Sequence, residues 1–73
     1  MQWFDWEDFP RDKPGAYVGW FPKQRWGSHY GMIHVGAARN VTMLIIDGVF
    51  AWDLDEKDMP SKWQHAPVAP NEQ

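Results

Sequence analysis

The chain predicts an all-β fold, a small antiparallel sheet of three to five strands with a short N-terminal turn or helix packed on it. Three observations lead there. Runs rich in β-branched and aromatic residues occupy the middle of the chain, turn residues bound each run, and an Asp-Gly pair joins two of them. An α+β domain is the alternative, and it requires real helices in residues 1–12 or 53–60.

Trp3, Trp6 and Phe9 recur every three residues before Pro10, which suits one helical turn. Pro14-Gly15 is a turn signal, and Ala16-Tyr17-Val18-Gly19-Trp20-Phe21 is the first strand. Pro22 ends it, because proline has no N–H to give to a ladder. The second strand is His29-Tyr30-Gly31-Met32-Ile33-His34-Val35, closed by Gly36. Arg39 opens the third, Val41-Thr42-Met43-Leu44-Ile45-Ile46. Asp47-Gly48 then turns the chain into Val49-Phe50-Ala51-Trp52. A type I′ hairpin turn needs positive φ at both central residues, and Asp-Gly tolerates it. Both arms of this hairpin are apolar on both faces, so it is expected at the centre of the sheet or covered on both sides. Asp53 to Asp58 is a polar excursion ending at Met59-Pro60. Ser61-Lys62-Trp63-Gln64-His65 is a last short strand, and residues 66–73 are an extended, proline-spaced tail.

At 73 residues and 8.6 kDa the chain is a single small domain, residues 1–73. Area scaling gives roughly 12,500 Å² for the open chain and roughly 4,700 Å² folded, a marginal core of the kind that gains from a staple or a partner. There is no cysteine, which excludes disulfides, thiolate zinc sites and cysteine nucleophiles. Six Trp, four Phe and two Tyr supply bulk instead. Trp20, Trp52 and Trp63 are expected in the core. Trp3, Trp6 and Trp26 are expected at an interface, and the aromatic surplus predicts a homo-oligomer. The acidic start lacks the basic and apolar segments of a secretory signal, and no apolar run approaches the length that spans a bilayer. A cytoplasmic protein with no membrane partner is expected.

Pro10, Pro14-Gly15, the strand Ala16-Tyr17-Val18, the aromatic-ending Phe50-Ala51-Trp52, and Trp63 followed by Pro67 and Pro70 together resemble a family of short uncharacterised phage and prophage domains. That family opens with a proline-x-glycine turn before a strand and closes with a tryptophan and a proline-rich ending. Here Gln64-His65-Ala66 intervene before Pro67, a departure from the family's Trp-x-Pro-Leu-Pro ending. The family has no residues of assigned function to carry over. The resemblance implies a habitat, a virus or mobile element whose small accessory proteins block host defence.

Charge runs acidic, basic, acidic. Residues 13–46 carry Lys13, Lys23, Arg25 and Arg39 and no acid, within a chain of formal charge −3. Lys23, Arg25, Trp26, His29, Tyr30 and Arg39 are the candidate surface for a ligand or partner. Cations neutralise phosphate, and Trp26 and Tyr30 offer faces on which a base can stack. With no local acid, an anion there meets no repulsion. Asp53, Asp55, Glu56 and Asp58 form an alternative partner surface.

Other constellations are weaker. His29 and His34 have opposite parity on one strand and His65 is distant in sequence, so no zinc site and no other metal site is assigned. Asp53-Leu54-Asp55-Glu56-Lys57-Asp58 has Lys57 and no glycine where a calcium loop needs them otherwise. Gly27-Ser28-His29-Tyr30-Gly31 has the glycine spacing of a nucleophile elbow, with histidine where serine must stand. The chain also lacks both glycine-rich phosphate motifs. The expected function is therefore non-enzymatic and cofactor-free: a phage or prophage accessory protein that binds and inhibits a host defence protein, or sequesters a nucleotide-like anionic ligand. A small nucleic-acid-binding module and a structural subunit of a larger assembly are the alternatives.

Overall fold

The computed structural model describes residues 2–22 and 27–67. Among them the fold is an antiparallel sheet of six strands: β1 (Phe4–Asp5), β2 (Gly15–Phe21), β3 (His29–Ala38), β4 (Val41–Ile46), β5 (Val49–Phe50) and β6 (Lys62–His65), in the order β1-β6-β2-β3-β4-β5. The helical elements are 3-10 turns of three residues each, Trp6–Asp8, Ala51–Asp53 and Glu56–Asp58. The fold is all-β, and its six strands exceed the expected three to five because Phe4–Asp5 pairs with β6 as a two-residue edge strand that the sequence did not announce.

The Asp47-Gly48 turn has the expected form, with φ of 51° and 83° and Ile46 paired to Val49 across it. A second turn of the same kind lies at Arg39-Asn40, φ 51° and 66°, with Ala38 paired to Val41. The second strand therefore runs through Gly36 to Ala38, and Arg39 sits in the turn instead of opening β4. Asparagine tolerates the left-handed region well, whereas arginine carries no such signature.

Strand alternation sorts the residues cleanly. On one face Phe4, Trp63, Tyr17, Gly19, Phe21, Gly31, Ile33, Val35, Leu44 and Ile46 form a continuous register across the sheet. Phe9 is buried on it, and Trp6, Ala51, Leu54 and Met59 pack against the same core. The cover thus comes from the first turn and from the segment between β5 and β6. Ring geometry locks it: Phe9 meets Tyr17 and Trp63 edge-on at 4.8 and 5.3 Å, and Trp6 stacks on Phe9 at 4.6 Å. The polar ends of the buried rings are satisfied. The Tyr17 hydroxyl donates to the Lys13 carbonyl at 2.7 Å, and Trp63 Nε1 donates to the Asp5 carbonyl at 2.9 Å.

Gly19 and Gly31 pair directly across β2 and β3, and Gly19 also pairs with Trp63. A Cβ on Gly31 would lie 2.7 Å from the Phe21 ring, and one on Gly19 would lie 2.7 Å from Ile33 Cδ1 and 3.2 Å from Pro60 Cβ. The glycines are a floor on which large side chains lie flat.

The opposite face has no such cover among the described residues. Tyr30, Met32, Val41 and Phe50 are exposed there, and Val18, Trp20, Met43 and Ile45 are half-buried. The β4–β5 hairpin, expected central or covered on both sides, forms one edge of the sheet. Ala51-Trp52 leave the strand in a 3-10 turn, which ends β5 at Phe50. Of the tryptophans expected in the core, Trp63 is buried, Trp20 is half-buried, and Trp52 is 68% exposed. Trp52 is misplaced because its strand ends early and its ring stacks on Phe50 at 4.4 Å instead of turning inward. Trp3 and Trp6 are half-buried.

Gly31→Ala is expected to destabilise the fold by about 1–3 kcal/mol, because the methyl overpacks a rigid buried ring. Urea denaturation measures this, and a loss below about 0.5 kcal/mol would show that Phe21 has room to move.

Candidate functional site

The six residues expected to share one surface divide as follows. Lys23, Arg25 and Trp26 lie outside the described residues. His29 begins β3 and shares the parity of the core face with Gly31 and Ile33, whereas Tyr30 belongs to the uncovered face. Arg39 stands at the far end of the same ten-residue strand, about 30 Å from His29 at strand rise. These three residues do not converge. Adjacent strand positions project to opposite sides, and Arg39 is displaced by the full length of β3.

Nor is the basic segment free of acid in space. Asp47 Oδ2 lies 3.3 Å from His29 Nε2, and His29 Nδ1 lies 3.1 Å from the Gly27 carbonyl. Asp47 reaches there through the space above Gly31. The His29 ring stacks on Phe21 at 5.0 Å with 7° between planes. Ser28, beside it in sequence, donates its hydroxyl to the Pro22 carbonyl, so it points away from the imidazole. The arrangement anchors the end of β3 to the β4–β5 turn. No described group of three or more His, Asp or Glu side chains is close enough to hold a metal ion.

Asp53, Asp55 and Glu56 are exposed and Asp58 is half-buried, on the connection whose Leu54 and Met59 pack into the core.

The convergent site lies elsewhere. Trp3, Trp20, Tyr30 and Lys62 line a recess of about 300 Å³ on the uncovered face. The pairing register assembles it: Trp20 of β2 sits beside Tyr30 of β3 on one side and Lys62 of β6 on the other. Lys62 pairs in turn with Asp5 of β1, and Trp3 precedes that strand. Trp20 and Tyr30 have centroids 4.9 Å apart, and Trp3 stacks on Tyr30 at 5.9 Å with 15° between planes. The Lys62 ammonium donates to Asp5 Oδ1, and both side chains are about half exposed. Tyr30 is the residue shared with the sequence expectation. Trp3, expected at an interface, Trp20, expected in the core, and Lys62 were not joined to that surface, because they meet only where β6 enters between β1 and β2.

No protein-family model matches this chain, no curated protein matches it, and no solved structure matches it. No helix of the described residues is long and apolar enough to cross a membrane.

Exposed ion pairs contribute little, because water screens both charges. Asp5→Ala is expected to lower stability by less than about 1 kcal/mol. A shift in the urea midpoint equivalent to about 2 kcal/mol or more would mark the pair as structural and unavailable to a ligand.

Proposed function

We propose that this chain is a non-enzymatic binding protein that captures a planar, anionic, nucleotide-like ligand in the recess formed by Trp3, Trp20, Tyr30 and Lys62. The observation that carries this is that three aromatic side chains and one lysine line a single recess on an open sheet face. A base stacked on such a platform contributes about 1–3 kcal/mol. The recess volume of about 300 Å³ is at the small end of ligand sites. A mononucleotide fits such a site better than a long strand. Lys62 supplies a cation at the rim and would exchange Asp5 for a phosphate. The resemblance to phage and prophage accessory domains supports a sequestering role in the host cytoplasm, where the captured ligand is withheld from a defence protein.

Calorimetric titration with nucleoside mono- and diphosphates and cyclic nucleotides tests the reading. At least one of them is expected to bind with micromolar affinity or better. Trp20→Ala is expected to weaken that binding about tenfold or more, as loss of one stacking face requires. Lys62→Met should weaken it too, while Asp5→Asn should tighten it by releasing the ammonium. The salt slope should correspond to about one or two phosphates. A steep slope together with preference for oligonucleotides would favour the nucleic-acid module instead. Absence of binding by the whole panel would refute the proposal.

A further inference from the structure

We infer that the uncovered sheet face on the β3–β4–β5 side pairs with the same face of a second copy, forming a homodimer. The alternation that organises the core predicts polar residues on a solvated face. These strands instead project Met32, His34, Gly36 and Ala38 from β3, Val41, Met43 and Ile45 from β4, and Phe50 from β5. The register puts no carboxylate, lysine or arginine among them. Two such faces can therefore meet without burying a formal charge, whereas a charged partner finds nothing to pair with.

The area suits a second copy. Trp52 is 68% exposed, Val41 59%, Met32 42% and Phe50 39%. A fully buried aromatic ring removes about 150–250 Å², so Trp52 and Phe50 leave roughly 160–270 Å² open. With Val41, Met32 and the half-buried Met43 and Ile45 the patch comes to about 400–600 Å², as large as the largest apolar patches on monomers. It approaches the per-partner area of a small specific interface, which is about 600–800 Å².

The edges offer no competing route. β1 and β5 are two residues long, so either edge can add only a very short ladder to another chain. A two-fold axis along β4 would lay β3 of one copy over β5 of the other. The row His34–Ile45–Phe50 then crosses the same row of the second copy, so His34 opposes Phe50 and Ile45 meets Ile45. In that arrangement β2 and β6 extend beyond the partner's β5 edge. The recess of Trp3, Trp20, Tyr30 and Lys62 stays open, because Tyr30 lies beyond Ile33, where pairing with β4 begins, so dimerisation and ligand capture are separate properties of one face.

Sedimentation velocity of the full chain over a concentration series tests the inference. A reversible monomer–dimer equilibrium with a dissociation constant of about 1–100 μM is expected from an interface at the low end of the specific range. Met32→Glu and Phe50→Glu each place a carboxylate in the paired face and should weaken the dimer about 100-fold or more. Circular dichroism should remain unchanged, because both positions are exposed. Trp52→Ala, outside the strands, should weaken it with no charge introduced. A wild-type chain that stays monomeric to about 500 μM overturns the inference, even if another protein binds the face. So does a dimer that survives all three substitutions with its dissociation constant unchanged.

Discussion

The row Trp63–Gly19–Gly31 carries the rest of the fold. It crosses β6, β2 and β3 on the core side, and its two glycines leave the space that Phe21, Ile33 and Pro60 occupy. The buried core mixes Ile33, Val35 and Ile46 with four large rings, Phe9, Tyr17, Phe21 and Trp63. It buries flat rings against bare backbone. Trp63 then becomes the contact for Phe4, Phe9 and Tyr17, so the N-terminal turn, β2 and β6 close on one ring. The cost is conformational entropy at two glycines within strands. The return is large apolar area and several edge-on ring contacts, each worth about 0.5–1.5 kcal/mol beyond burial.

From that row the asymmetry of the molecule follows. The cover segments are short: one turn before β2 and the connection between β5 and β6. Both are committed to the glycine-floored face by Trp6, Phe9, Leu54 and Met59. Among the described residues only Trp3 lies over the other face, at Tyr30, although that face also carries rings and thioethers. The recess at Lys62 and the apolar patch of β3–β5 are two ends of this one unpartnered surface. Stacking chemistry gathers at the end where β1 and β6 bring Asp5 and Lys62. Purely apolar contact gathers at the end where β4 and β5 bring valine, methionine, isoleucine and phenylalanine.

His29 and Asp47 illustrate how a chemically suggestive pair becomes structural. The imidazole lies flat on Phe21, its two nitrogens face the Gly27 carbonyl and the Asp47 carboxylate, and Ser28 turns away to Pro22. These contacts tie the start of β3 to the turn after β4. A histidine and an aspartate 18 residues apart meet because antiparallel pairing folds one strand end beside the next turn.

The β class, the Asp47-Gly48 turn, the limits of β2 and the existence of β6 were legible in the sequence, because each rests on local backbone preference. Asp-Gly accepts positive φ, Pro22 stops a ladder, and alternating β-branched and aromatic residues suit a pleat. The apolar character of both faces of β4 was legible as well. What the sequence alone did not reveal was strand order. Placing β6 between β1 and β2 brought Lys62 to Trp20 and Asp5 to Lys62, and placing the hairpin at the edge left Phe50 and Trp52 exposed. The basic middle segment was real as composition. Its described residues were separated by pleat parity and strand length, and Asp47 entered it from outside. Local preference acts over a few residues, whereas the neighbours of a strand are chosen by how the whole set of rings can be buried at once.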